Sequence, residues 1–136
     1  MQLNSYLIFD GQCKEAFEFY RECLGGEFAM IMTFGESPMA GDTPPEHHDR
    51  ILHVRLETDG AAIMGSDAPP ERYQKPAGFS VSIEVEDVER GERIFNALAA
   101  GGTVDMPLQK TFWAESFGML VDRFGTAWMI NVELTE

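Results

Sequence analysis

Residues 79–102, FSVSIEVEDVERGERIFNALAAGG, decide the fold. Phe79, Val81, Ile83 and Val85 recur at every second position, the period of a strand with one buried face. At Asp87 the period changes. Val88–Ala100 reads as a helix, with Asp87 a suitable N-cap and Glu89 and Glu92 well placed near its positive end. Gly101-Gly102 stops it. The first half of the chain has the same order. Leu3–Phe9 (LNSYLIF) reads as a strand closed by Asp10-Gly11. Cys13–Leu24 reads as a helix whose Ala16, Phe17, Tyr20, Cys23 and Leu24 recur at three- and four-residue steps, and Gly25-Gly26 stops it.

Three strands are expected after each helix. In the first half they are Phe28–Phe34, Ile51–Thr58 and Ala61–Ser66, with the polar, Pro-containing loop Gly35–Arg50 between the first two and a hairpin signal at Asp59-Gly60. Ile51–Thr58 alternates, with Leu52, Val54 and Leu56 on one face and His53, Arg55 and Glu57 on the other. In the second half they are Thr103–Met106, ending before Pro107, and a hairpin of Phe117–Asp122 with Thr126–Val132 around Phe124-Gly125. The pattern repeats at roughly 65 to 75 residues, a period that can decide a fold. The expectation is an α+β chain forming a single domain, 1–136. Its two β-α-β-β-β modules span about 1–67 and 78–136, with a Pro-rich linker at about 68–77. One helix covers one face of each sheet, so the other face calls for the second sheet or a second chain.

Composition excludes several functions. Apolar residues are 44% and charged residues 24% of the 136 positions, an ordinary globular profile. Acidic residues outnumber basic ones 23 to 10, giving a formal charge of −13. Such a surface repels phosphate backbones and anionic headgroups, and the basic residues are scattered, so neither nucleic acid nor membrane is an expected partner. No apolar run approaches the roughly 18 residues of a membrane span. Cys13 and Cys23 lie in one helical stretch, and ten residues of helix span about 15 Å, too far for a disulfide. Two free thiols, and an apolar start interrupted by Asp10 without a basic lead, point to the cytoplasm.

The twofold β-α-β-β-β plan resembles the vicinal oxygen chelate superfamily of glyoxalase I, extradiol dioxygenases, and bleomycin- and fosfomycin-resistance proteins. Within it the chain is similar to the PhnB-like group, also labelled 3-demethylubiquinone-9 3-methyltransferase-like. The resemblance rests on Tyr6-Leu7-Ile8-Phe9 with Gly11 and Cys13, on Glu15-Ala16-Phe17 and Phe19-Tyr20, on Leu24-Gly25-Gly26, and on Met64-Gly65-Ser66-Asp67. Its most specific part runs from Met106-Pro107-Leu108-Gln109 through Thr111-Phe112-Trp113-Ala114 and Phe117-Gly118-Met119 to Asp122-Arg123-Phe124-Gly125 and Trp128-Met129-Ile130-Asn131. It implies curved mixed sheets around a cleft, helices on the outer faces, and in many members a divalent metal held by His and Glu. No Gly-x-Gly opens a helix here, so the chain carries no glycine-rich turn of the kind S-adenosylmethionine usually needs.

Strand alternation assigns the cleft-facing residues. Tyr6 and Ile8 are expected under the helix, leaving Ser5 and Leu7 for the cleft. His53, Arg55, Met64, Ser66, Gly78, Ser80, Ser82, Glu84, Met129 and Asn131 are expected to face it too. The superfamily's four ligand places then fall near Ser5, Met64, Gly78 or Ser80, and Met129, none of them His or Glu, so neither a metal nor a cofactor is expected. His53 is the candidate catalytic residue, as a general base or an orienting donor. Arg55 could clamp a carboxylate or phosphate, or pair with Glu57 or Glu84. Phe112 and Trp113 could wall a pocket or pack at an interface. Glu46-His47-His48-Asp49 reads as a solvated loop.

The expected ligand-binding set is thus His53, Arg55, Met64, Ser66, Ser80, Phe112, Trp113, Met129 and Asn131, for a small organic molecule. Two alternatives are a metal-dependent lyase or dioxygenase using an unusual ligand set, and a non-catalytic resistance protein that sequesters a compound. Apolar residues around Phe112, Trp113 and Phe117 suggest a homodimer.

Overall fold

A computed structural model describes residues 1–134 and divides at Gln74/Lys75 into two compact units. Residues 135 and 136 of the expected second module lie outside the described residues. Unit 1 contains β1 (Ser5–Phe9), α1 (Cys13–Leu24), β2 (Glu27–Thr33), β3 (Ile51–Thr58) and β4 (Ala61–Asp67). Unit 2 contains β5 (Val81–Val85), α2 (Val88–Ala99), β6 (Thr103–Gln109), β7 (Ala114–Val121) and β8 (Ala127–Glu133). The sheets are ordered β1-β4-β3-β2 and β5-β8-β7-β6. β1 runs parallel to β4 and β5 parallel to β8, and the remaining pairs are antiparallel. The β-α-β-β-β plan therefore occurs twice. No helix among the described residues is long and apolar enough to cross a membrane.

Each helix buries one apolar stripe against its own sheet. On α1 the stripe is Cys13, Ala16, Phe17 and Tyr20, which covers Leu7, Phe9, Val54, Leu56 and Ile63. Phe17 meets Phe9 and Tyr20 edge-on, with ring centroids 6.1 and 5.4 Å away. On α2 it is Gly91, Ile94, Phe95 and Leu98, set against a sheet that buries Val81, Leu120, Trp128, Ile130 and Val132. Burying each large side chain contributes roughly 1.5–3 kcal/mol. Asp87 caps α2 as expected, its carboxylate accepting the Arg90 N–H at 3.2 Å.

Several expectations need correction. On β1 the faces are reversed: Leu7 and Phe9 lie in the core, while Tyr6 and Ile8 are 42% and 40% exposed. LNSYLIF is apolar at both parities, so hydrophobicity does not choose between them. Pairing does, because Leu7 lies opposite Gly65, whose missing side chain admits the Phe17 ring. β6 continues through Pro107 to Gln109, which an edge strand with a broken register after Met106 tolerates. β7 starts at Ala114, not Phe117. β5 starts at Val81, so Ser80 precedes it. β4 runs one residue past Ser66 to Asp67, which is 3% exposed.

Asp67 joins three elements. Oδ1 accepts the N–H groups of Gly11 (2.7 Å) and Cys13 (3.1 Å), and Oδ2 accepts that of Ile51 (2.8 Å). Gln12, at the N-cap of α1, makes no side-chain cap bond, so a carboxylate from β4 caps that helix instead. In unit 2, Asp122 accepts from Phe124 N–H, Thr126 N–H and Trp128 Nε1–H at 2.8, 3.0 and 2.9 Å. Burial, and then the charge of Asp67, push the Cys13 thiol well above its ordinary pKa. Cys13 is therefore expected to resist iodoacetamide in the native state while the part-exposed Cys23 reacts first. Peptide mass spectrometry reads the order, and equal rates at the two thiols would contradict it.

The 35–50 segment is an ordered, anchored loop. His48 Nε2 lies 3.1 Å from the Ala40 carbonyl and 2.9 Å from that of Thr43; both only accept, so this nitrogen carries a proton. The Arg50 guanidinium holds Asp10 at 2.9 Å and the Ala68 carbonyl.

Candidate functional site

The face of each sheet away from its helix carries the functional candidates. In unit 1, strand pairing sets Met30, Arg55, Met64 and Tyr6 in one row across β2, β3, β4 and β1. Alongside, Met32 pairs with His53, and Ile8 with Ser66. Side chains of one parity share a face, so all eight lie together. Apolar groups stay accessible here: Tyr6, Ile8 and Met30 are 42%, 40% and 41% exposed.

Polar contacts on this face are few. The Tyr6 hydroxyl is 3.1 Å from His53 Nδ1, and the rings stack at 5.7 Å with an inclination of 25°. Arg55 Nε donates to Glu57 Oε2 at 2.8 Å, and Nη1 reaches the Met64 sulfur at 3.5 Å. A hollow of about 790 Å³ lies beside the β3–β4 hairpin. Gln2, Asn4, Glu27, Glu57 and Asp59 help line it; it takes in Arg55 but neither Tyr6 nor His53.

Unit 2 repeats the row with different chemistry. Met106, Met119, Met129 and Ser82 pair across β6, β7, β8 and β5. These are the register counterparts of Met30, Arg55, Met64 and Tyr6. Beside them Phe117 pairs with Asn131, and Asn131 with Glu84. Trp113 packs edge-on to Phe117 at 5.3 Å, and Phe112 to Trp113 at 4.9 Å. Phe112 is 90% and Trp113 45% exposed.

The expected residues are thus distributed as follows. His53, Arg55, Met64 and Ser66 share the outward face of unit 1. Met129 and Asn131 share that of unit 2, Phe112 and Trp113 form an aromatic cluster with Phe117, and half-buried Ser80 lies just before β5. Sequence reasoning missed Tyr6 and Ile8, through the reversed parity of β1, and Met30 and Met32 on the edge strand. The signal for Tyr6 was the Met64-Gly65-Ser66-Asp67 alternation, which fixes the faces of the neighbouring strand.

The donor set does not fit a superfamily metal. With β1 reversed, its expected ligand place moves from Ser5 to Tyr6 or Ile8, beside Met64, while Met129 faces Ser82. Among the described residues no three His, Cys, Asp or Glu side chains converge on a common point. Thioether, hydroxyl and phenol groups are poor ligands for hard divalent ions.

Comparison with known proteins agrees with this architecture. Residues 1–131 match the family described as 3-demethylubiquinone-9 3-methyltransferase. The chain is 38% identical to protein YjdN of Escherichia coli K12 over 140 residues, covering 97% of this chain and 95% of that one. The crystal structure of PA1353 from Pseudomonas aeruginosa is 48% identical, covers 98% of both chains and superposes with a TM-score of 0.90. The PhnB protein of Bacillus cereus shares the fold at 23% identity, with coverage of 97% and 99% and a TM-score of 0.80. So does a glyoxylase/bleomycin resistance protein/dioxygenase domain from Frankia sp. EAN1pec, at 15% identity, 98% coverage of both and a TM-score of 0.67.

Proposed function

Because the chain belongs to the 3-demethylubiquinone-9 3-methyltransferase family, the PhnB-like branch of the vicinal oxygen chelate superfamily, we propose that it binds a small organic molecule on the outward sheet faces, without a catalytic metal. One observation carries this reading. The unit 1 face keeps Tyr6, Ile8 and Met30 about two-fifths exposed beside two nitrogen-rich side chains, His53 and Arg55, whose bonding capacity is only partly used. Apolar surface around a few directed polar groups is the usual make-up of a small-molecule site. Met64 and Ser66 complete the proposed contacts on unit 1, with His53 the candidate for any chemistry; Ser80, Phe112, Trp113, Met129 and Asn131 are the proposed contacts on unit 2.

The family description suggests methyl transfer, but no place for an adenosyl cofactor is evident. Asp67 binds the N–H groups of Gly11 and Cys13 at the start of α1, and the Asp87 carboxylate occupies the start of α2, where it would repel a phosphate or carboxylate. Among the described residues no ligand set for a metal-dependent lyase or dioxygenase comes together, whereas sequestration of a compound without turnover is the rival of the same binding reading.

Thermal unfolding with a compound library, with and without EDTA, tests the proposal. A ligand at 100 times its Kd stabilises by about 2.7 kcal/mol, and the shift is expected to survive chelation. If every stabilising compound loses its effect in EDTA, or if purified untagged protein holds one tightly bound transition metal per chain, the metal-free reading fails. Turnover of a stabilising compound would separate an enzyme from a sequestering protein.

A homodimer in the cytoplasm is the proposed setting. The exposed Phe112–Trp113 cluster and two cysteines that form no disulfide support these two parts respectively. Light scattering is expected to give about twice the 15.2 kDa chain mass, and Trp113→Ala to weaken association. A mass of one chain would dismiss the dimer, and full association of the variant would move the interface elsewhere.

A further inference from the structure

The Tyr6–His53 contact bears on which hydrogen-bonding group unit 1 offers to a ligand, and so on what kind of ligand it takes. The Tyr6 oxygen stands 3.1 Å from Nδ1. The ladder holds both partners in place, Tyr6 opposite Met64 and His53 opposite Met32. A phenol is a better donor than acceptor, and the unprotonated nitrogen of a neutral imidazole is a good acceptor. With the O–H given to Nδ1, the single ring proton sits on Nε2, which has no hydrogen-bond partner among the described residues.

Arg55 is the next residue of that parity on β3, about 7 Å along the strand. Nε is bound to Glu57, Nη1 meets only the Met64 thioether, and Nη2 has no partner among the described residues. A thioether is a weak acceptor that a carboxylate would readily replace. The face therefore presents two N–H donor groups from residues about 7 Å apart along β3, flanked by Met30, Met32 and Ile8.

We propose that unit 1 takes a small organic acid carrying a second acceptor oxygen. Its carboxylate lies on the Arg55 guanidinium, its carbonyl or hydroxyl oxygen accepts from His53 Nε2–H, and its apolar remainder rests on the methionines. Tyr6 is the positioning residue that fixes the tautomer, and His53 acts as a donor rather than a general base. This inference rests on the outward face being a binding surface. The formal charge of −13 opposes an anion at long range, so recognition depends on these short contacts.

Two measurements test it. Nitrogen-15 NMR of the His53 ring, taken on the neutral ring at about pH 8.5, is expected to show the Nε2–H tautomer and, in Tyr6→Phe, a mixture. The Nδ1–H tautomer in the unaltered protein would overturn the role of Tyr6. The second uses 4-oxo-4-phenylbutanoate and related aryl and alkyl oxo acids, each paired with its primary amide, followed through the methyl signals of Met30, Met32 and Met64. The acids are expected to bind at least about tenfold tighter than the amides, and Arg55→Gln to remove roughly ten- to a hundredfold of acid affinity while changing the amides by less than about twofold. Tyr6→Phe should weaken acids by up to about tenfold. Amides that bind as well as acids would reject the ligand class and leave the binding surface standing. Methyl signals unmoved by any member of either series would reject the surface itself.

Discussion

Asp67→Ala is expected to destabilise unit 1 by about 4 kcal/mol, near the upper end for a single substitution. The carboxylate is 3% exposed and accepts three backbone N–H groups, from Gly11, Cys13 and Ile51. Hydrogen bonds to a charged group contribute about 1.5–3 kcal/mol each, and a buried donor left without a partner costs about 1–3 kcal/mol. Part of the loss is recovered as water enters, so the sum stays below the simple total. The three donors belong to the turn after β1, the start of α1 and the start of β3, so the substitution loosens one end of the unit. Asp67→Asn should recover less than half, because its amide nitrogen turns a donor toward donors. Urea unfolding followed by far-UV circular dichroism measures both, and a variant within about 1 kcal/mol of the parent would refute the structural role assigned to this residue.

Two positions earlier, Gly65→Val should cost about 3 kcal/mol through overpacking. A Cβ at Gly65 would lie 2.6 Å from Phe17 Cε1 and 2.8 Å from the Leu7 carbonyl oxygen. The first is the ring of a fully buried side chain and the second is backbone, so neither moves aside cheaply. Gly118 is the analogous position in unit 2, 2.7 Å from Phe95 Cε2 on the same construction, and Gly118→Val should behave alike. Ser66→Ala, on the outward face between Gly65 and Asp67, should stay within about 0.5 kcal/mol. If Gly65→Val unfolded at the parent's urea midpoint, α1 could not be packed against β4 as described.

These substitutions also show what could be read in the chain alone. The alternation of Ile51–Thr58 and of Thr126–Val132 placed His53, Arg55, Met129 and Asn131 correctly, because in each strand only one parity is consistently apolar. Both helices were legible for the same reason: their apolar stripes have one period and definite glycine stops. β1 was misread because Tyr6, Leu7, Ile8 and Phe9 are apolar in succession, and only the partner strand distinguishes their faces. The role of Asp67 was not legible because its three donors lie 16 to 56 residues away. The Tyr6–His53 contact spans 47 residues and depends on the same pairing. A strand's own pattern thus reveals its faces when they differ in polarity; a long-range polar bond also requires the register of its neighbours.

The matched rows of the two sheets have an engineering consequence. Tyr6, Arg55 and His53 in one half correspond by register to Ser82, Met119 and Phe117 in the other, on strands joined in the same order. Unit 2 is in this sense a duplicate of the scaffold that carries serine, methionine and phenylalanine where unit 1 carries tyrosine, arginine and histidine. Ser82→Tyr, Phe117→His and Met119→Arg together would transplant the constellation to a second address within one polypeptide. The original would remain as an internal reference, so a copied function could be compared with its parent under identical conditions.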